Sequence, residues 1–138
     1  QSVSLLGVPQ AILEVVQSAN YGAVTVLALV VLIYLVLGCF FDGLSLMIMT
    51  LPIVVPLMVG LGYDAIWLGV IITVLIEIGQ VTPPVGLNLS VLVSVTKEKT
   101  SLGEVAGASM PYWLILLGGI AILTAAPEIA LFLPQYLM

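Results

Sequence analysis

Glu77, Thr82 and Asn88 bring a carboxylate, a hydroxyl and a carboxamide to the two sides of a Pro83-Pro84 pair, inside an otherwise apolar run. The stretch reads Glu77-Ile-Gly-Gln-Val-Thr-Pro-Pro-Val-Gly-Leu-Asn88. Oxygen groups of this kind suit a hard cation such as sodium, and the Asn88 amide adds donors that could orient an anion. The prolines remove two backbone donors and disfavour the helical region at Thr82, while Gly79 and Gly86 accept conformations that other residues resist. Carbonyls are thereby freed. In lipid such groups persist only where protein buries them or where they line a polar cavity, which marks the island as an ion or substrate site and points to transport.

Each side chain also has a plainer use. Glu77, expected on a helix at mid-membrane depth, could bind a proton or cation, or could make a structural hydrogen bond that fixes the loop. Thr82, Asn88 and Ser90 could serve as interhelical hydrogen-bonding groups, a common task of small polar residues in membranes. Beside freed carbonyls, Thr82 is expected to coordinate an ion, and Ser90 to bond between helices. A second cluster is Asp42 with Gly38 and Gly43. Asp42 could simply cap a helix beginning at Gly43, or the reversal allowed by the glycines could turn carbonyls toward a cavity that holds a cation.

Other chemistries are excluded by what the chain lacks. It has no His and only one Cys, so histidine-dependent nucleophilic catalysis, zinc-histidine sites and intrachain disulfides have no residues to use. Cys39, flanked by apolar residues, reads as a packing residue. Intramembrane aspartyl proteolysis needs two facing aspartates, yet Asp64 falls in an expected surface turn and Asp42 has no mate. The reading is therefore non-catalytic. With two Lys and no Arg behind a net charge of −5, no basic surface exists for nucleic acid. A chain that is 62% hydrophobic and only 7% charged is expected in the lipid bilayer as an all-α integral membrane protein. It opens without an initiator Met or a basic leader and reads as a piece of a longer chain.

The elements that must position these groups follow from the apolar periodicity. Residues 8–18 predict a short interfacial helix, with Ala11, Ile12, Val15 and Val16 on one side and Gln10, Glu14 and Gln17 on the other. At about 11 residues, near 16 Å, it is too short to cross. A polar turn follows, so residues 1–23 form an arm helix and turn. Apolar runs over 24–40 and 44–59 meet at a tight reversal, 38–43. Each is about 16 residues, roughly 24 Å, a little short of spanning. Hydropathy leaves open a re-entrant hairpin over 24–59 with its tip at 38–43, or a pair of tilted spanning helices.

Asp64 is placed to cap a helix from Ala65, which runs to Ile78, breaks over 79–86 and resumes to about Thr96. The segment 60–97 is thus one interrupted transmembrane helix. Segment 98–138 holds a hydrophilic loop, a last spanning helix over 105–126 ended by Pro127, and a C-terminal tail. Lys97 and Lys99, the only basic residues, orient their loop to the cytoplasm. The turns at 18–23 and 60–64 then lie outside. No internal repeat is present.

With these residues in view, the chain resembles the C-terminal part of the large membrane subunit of tripartite ATP-independent periplasmic (TRAP) transporters. The resemblance runs through Gly38-x-x-x-Asp42, Pro52-Ile-Val-Val-Pro56, Leu61-Gly-Tyr-Asp64 followed by Gly69-Val-Ile, the whole Glu77 to Asn88 island, Pro127 and Leu133-Pro134. It implies an elevator-type transporter of the ion transporter superfamily, in which 24–59 is a re-entrant hairpin entering from outside. It implies uptake of an organic acid such as sialic acid or a C4-dicarboxylate, coupled to sodium, with no other cofactor. Implied partners are a small membrane subunit, a soluble periplasmic substrate-binding protein and the organic-anion substrate, in a multi-pass protein of the bacterial inner membrane. By the same resemblance, Gly38, Gly79, Thr82 and Val85 offer oxygens to one sodium, largely from the backbone. Asp42, Gly43, Glu77, Pro83, Gly86 and Asn88 are the expected substrate-facing or supporting residues. The competing reading is a non-transporting assembly subunit or simple helical bundle, in which 79–86 would be helical or at the surface.

Overall fold

The computed structural model describes residues 7–82, 86–95 and 101–137. Among them every regular element is a helix: α1 (Val8–Ser18), α2 (Ala23–Gly38), α3 (Gly43–Gly60), α4 (Ala65–Gln80), α5 (Leu87–Val95), α6 (Leu102–Ala125) and α7 (Glu128–Leu137). Local chemistry sets the boundaries. Asn20, one of the residues that tolerates the left-handed region, adopts φ 56° in the turn between α1 and α2. Asp42 starts α3 by accepting from the Ser45 N–H at 2.9 Å. Asp64 starts α4 by accepting from Ile66 and Trp67 N–H at 2.8 and 3.1 Å. Each cap satisfies donors that a helix start leaves unpaired.

α4 is the central element. Leu68, Ile71, Ile72, Leu75 and Ile78 are at most 1% exposed, and they pack with Tyr34 of α2 and Leu46 and Met58 of α3 in one core. The polar residues of α4 fall on its other side: Thr73, Glu77 and Gln80 recur at i, i+4 and i+7 and line a common cavity. The two arms of the hairpin are joined by the Tyr34 hydroxyl and Thr50 Oγ1 at 2.5 Å, with Thr50 also donating to the Leu46 carbonyl. α1 lies along α3, where Leu13 packs on Gly60.

Two contacts fix how α6 runs past α4. Ser109 Oγ reaches the Val81 carbonyl, and Trp67 Nε1 reaches the Leu123 carbonyl at 2.8 Å. The separation from Trp67 to Val81 equals that from Ser109 to Leu123, so the helices stay antiparallel in one register. Leu123 needs its outside donor, because the residue four positions on is Pro127, which has no N–H. α3 and α6 are each long and apolar enough to cross a membrane.

Three boundaries differ from the sequence expectation. α4 does not break at Gly79 but continues to Gln80, because the loss of donors at Pro83 and Pro84 falls on the carbonyls four residues earlier while the Gly79 N–H can still be helical. α6 begins at Leu102 rather than Val105: Ser101 and Glu104 form a reciprocal capping box, with Glu104 Oε2 accepting from Ser101 N–H at 2.8 Å. After Pro127 the chain is not an irregular tail but α7, since proline is tolerated in a helix's first turn and can precede a new one. Lys97 and Lys99, which carry the orientation argument, lie outside the described residues.

Candidate functional site: the junction of hairpin tip and broken helix

Gly38, the last residue of α2, and Gly79, in the last turn of α4, meet backbone to backbone. A Cβ on Gly79 would stand 2.6 Å from Gly38 Cα and 2.8 Å from its carbonyl carbon; one on Gly38 would stand 2.9 Å from Gly79 Cα. No side chain fits between them. Both residues are buried.

The junction therefore gathers the C-terminal ends of two helices. Each end carries the partial negative charge of its last-turn carbonyls, several of which accept only from the reversal that follows, and neither helix has a basic residue in its last turn to offset it. That electrostatic arrangement favours a cation. The start of α5 at Leu87 follows the second reversal and contributes a partial positive end, which favours an anion, whereas the start of α3 at Gly43 is already capped by the Asp42 carboxylate.

Past Gln80 the chain turns tightly. Val81 N–H donates to the Ile78 carbonyl and Thr82 N–H to the Gly79 carbonyl, both at 3.2 Å. The Thr82 hydroxyl donates to the Ile78 carbonyl at 2.5 Å, which spends its only proton and leaves its oxygen's acceptor side for a cation. Gly86 re-enters with φ +44°, and a Cβ there would lie 3.1 Å from the Thr82 carbonyl and 2.9 Å from Leu89 Cδ1. Pro83 and Val85 lie outside the described residues.

Beside this junction is a cavity of about 290 Å³ lined by Gly43, Leu44 and Met47 of α3 and by Thr73, Ile76, Glu77 and Gln80 of α4. A Cβ on Gly43 would meet Gln80 Nε2 at 2.6 Å and Ile76 Cγ2 at 2.8 Å, side-chain atoms that would have to shift to admit it. Glu77 is exposed, as is Asp42, whose carboxylate caps α3. Asn88 is brought elsewhere: with Val81, Leu89, Ser109 and Tyr112 it lines a second groove, of about 420 Å³, between α5 and α6. The expected residues thus divide into a junction (Gly38, Gly79, Thr82, Gly86), one cavity (Gly43, Glu77) and another groove (Asn88). Cys39 is buried, as its packing role requires.

Three contributors escaped the sequence reading. Thr73 and Gln80 share the face of Glu77, and their spacing from it was a usable helical signal. Ser109, which touches the break from α6, leaves no such signal because its partner lies far away in the chain. Among the described residues no group of three His, Cys, Asp or Glu gathers, so the available donors are carbonyls, hydroxyls and isolated carboxylates, a set for hard cations.

Among the described residues the architecture is all-helical, with two helices long and apolar enough to cross a membrane, and sequence comparison gives its family. Residues 1–129 match the tripartite ATP-independent periplasmic transporter, DctM component. The chain belongs to that family and is an integral membrane protein. It is 40% identical over 131 residues to the C4-dicarboxylate TRAP transporter large permease protein DctM of Vibrio cholerae, covering 95% of this chain and 28% of that protein. It is 35% identical to the ectoine/5-hydroxyectoine TRAP transporter large permease protein UehC of Ruegeria pomeroyi, over 95% of this chain and 30% of that one. With the sialic acid TRAP transporter permease protein SiaT of Haemophilus influenzae it shares 32% identity, over 83% of this chain and 18% of the relative. The chain spans less than a third of these relatives. All three are named as permeases rather than enzymes.

Proposed function

We propose that this segment supplies the ion-binding part of a sodium-coupled elevator that takes up an organic acid across the bacterial inner membrane. The observation that carries the reading is the convergence of the α2 and α4 C-terminal ends at Gly38 and Gly79, where two partial negative charges and an all-oxygen donor set meet. Sodium binds there through Gly38, Gly79, Thr82 and Val85. The ion offsets the facing carbonyl dipoles and holds the hairpin against the broken helix, which completes the anion site nearby. In this reading 24–59 is a re-entrant hairpin that moves with the interrupted helix. Its tip, level with Gly79 and therefore with Ser109, turns back well before the α6 start at Leu102, in keeping with a hairpin that does not cross.

The relatives' names differ in substrate, from C4-dicarboxylate to ectoine and sialic acid, over the same matched segment. That supports assigning the segment to coupling, with substrate choice made elsewhere. The complete transporter works with a small membrane subunit and a soluble periplasmic binding protein that delivers the organic anion.

The test is substrate uptake against sodium concentration in proteoliposomes holding the complete transporter, with its binding protein. Thr82→Ala keeps the backbone carbonyl and loses the hydroxyl, so it raises the sodium needed for half-maximal uptake by about tenfold, the worth of one charge-assisted contact. Gly79→Val forces side-chain bulk onto Gly38 and damages transport more severely. Wild-type sodium curves for both variants would remove the proposed ion site.

A further inference from the structure

We propose that Ser109 of α6 is a positioning residue for the ion site, setting sodium affinity by clamping the peptide between Val81 and Thr82; the inference rests on the sodium reading above. Ser109 Oγ lies 3.2 Å from the Val81 carbonyl and 2.8 Å from the Ala106 carbonyl, so its one proton is shared between the break and its own helix. Val81 lies beyond the end of α4.

The consequence follows from peptide planarity. The Val81 carbonyl and the Thr82 N–H belong to one rigid unit, so holding one end orients the other. At that other end, Thr82 N–H donates to the Gly79 carbonyl at 3.2 Å. The same peptide therefore links Ser109 on one side to the Gly79 carbonyl and Thr82 on the other, and its rotation would break the bond to Gly79 and displace Thr82, two of the residues assigned to sodium. Ser109 itself contributes no ligand. Without its hydroxyl the peptide is held only through the Thr82 N–H, and the ion must meet the cost of ordering the loosened carbonyl end.

Sodium titrations of uptake by the complete transporter with its binding protein, and of the thermal stability of the purified transporter, test this. Ser109→Ala is expected to raise the half-saturating sodium about threefold to tenfold, the loss of one hydrogen bond, while uptake at saturating sodium stays near wild type. Ser109→Thr retains the hydroxyl and returns the curve toward wild type. Thr124→Val is the control: Thr124 donates back to the Ile120 carbonyl of its own helix, away from the break, and its loss leaves the sodium curve in place. An unchanged half-saturation in Ser109→Ala, in both uptake and thermal stabilisation, overturns the proposal, as does a fall in maximal uptake alone. A wild-type transporter without sodium dependence overturns the ion-site reading together with this one. Sodium dependence in wild type with a coincident Ser109→Ala curve overturns only the role of Ser109.

Discussion

Gly79 packs against Gly38 with no room for a methyl group, whereas Gly69, earlier in the same helix α4, has open space where its Cβ would be. The two glycines make a controlled comparison. Gly79→Ala places a carbon 2.6 Å from Gly38 Cα, and backbone cannot rotate away as a side chain can. The overpacking costs about 1–3 kcal/mol, and more where the hairpin is pushed off α4. Gly69→Ala removes a flexible residue from a helix interior and stabilises by up to about 1 kcal/mol. Apparent Tm in detergent should fall for the first and hold or rise for the second. Equal shifts would mean that the close approach is not what Gly79 is there for.

The Trp67 indole takes the place of a backbone donor that Pro127 cannot offer to the Leu123 carbonyl. Trp67→Phe keeps an aromatic ring and leaves that carbonyl without the indole donor, a loss of about 1–3 kcal/mol. Introducing Pro127→Ala restores an N–H four residues beyond Leu123. The Trp67→Phe penalty in apparent Tm should then be smaller in the Pro127→Ala background than in wild type. An identical penalty in both would show that the indole acts through packing alone.

Glu77 faces the cavity beside Gly43 together with Thr73 and Gln80. Glu77→Gln preserves shape and hydrogen-bonding length while removing the ionisable group. A Glu77 that carries a proton or cation through the transport cycle makes the variant alter the pH or sodium dependence of uptake, and that is the expected outcome. Normal expression with both dependences unchanged would leave Glu77 as a hydrogen-bonding residue only.

Much of the fold was legible because several signals act over short distances. Asp42 and Asp64 could be read as helix starts, and both make the cap bonds that reading implies. The Pro83-Pro84 pair announced a break, and Val81 does leave the helix. The same short-range logic failed where a signal was present but unread, as with Ser101 and Glu104 at the start of α6. Pro127 was rightly read as the end of the last spanning helix, but that a new helix starts just beyond it, at Glu128, was not. Glu77 and Asn88 stood close together in the chain and seemed to belong to one site. The turn between them sends Glu77 to the cavity beside α3 and Asn88 to the groove beside α6.

What the sequence by itself determined is where helices start and fail and which backbone groups are left needing partners. Caps, prolines and glycines act through atoms within about four residues of themselves, so their effects can be read from order alone. Only the tertiary structure decided which of those loose ends meet. That Gly79 faces Gly38, that Ser109 reaches the Val81 carbonyl and that Trp67 reaches that of Leu123 depends on the direction and register in which α2, α4 and α6 pack. Register is set by many nondirectional apolar contacts along α4 together with the bonds from Trp67 and Ser109, whose partners lie far away in the chain and so cannot be read from order alone.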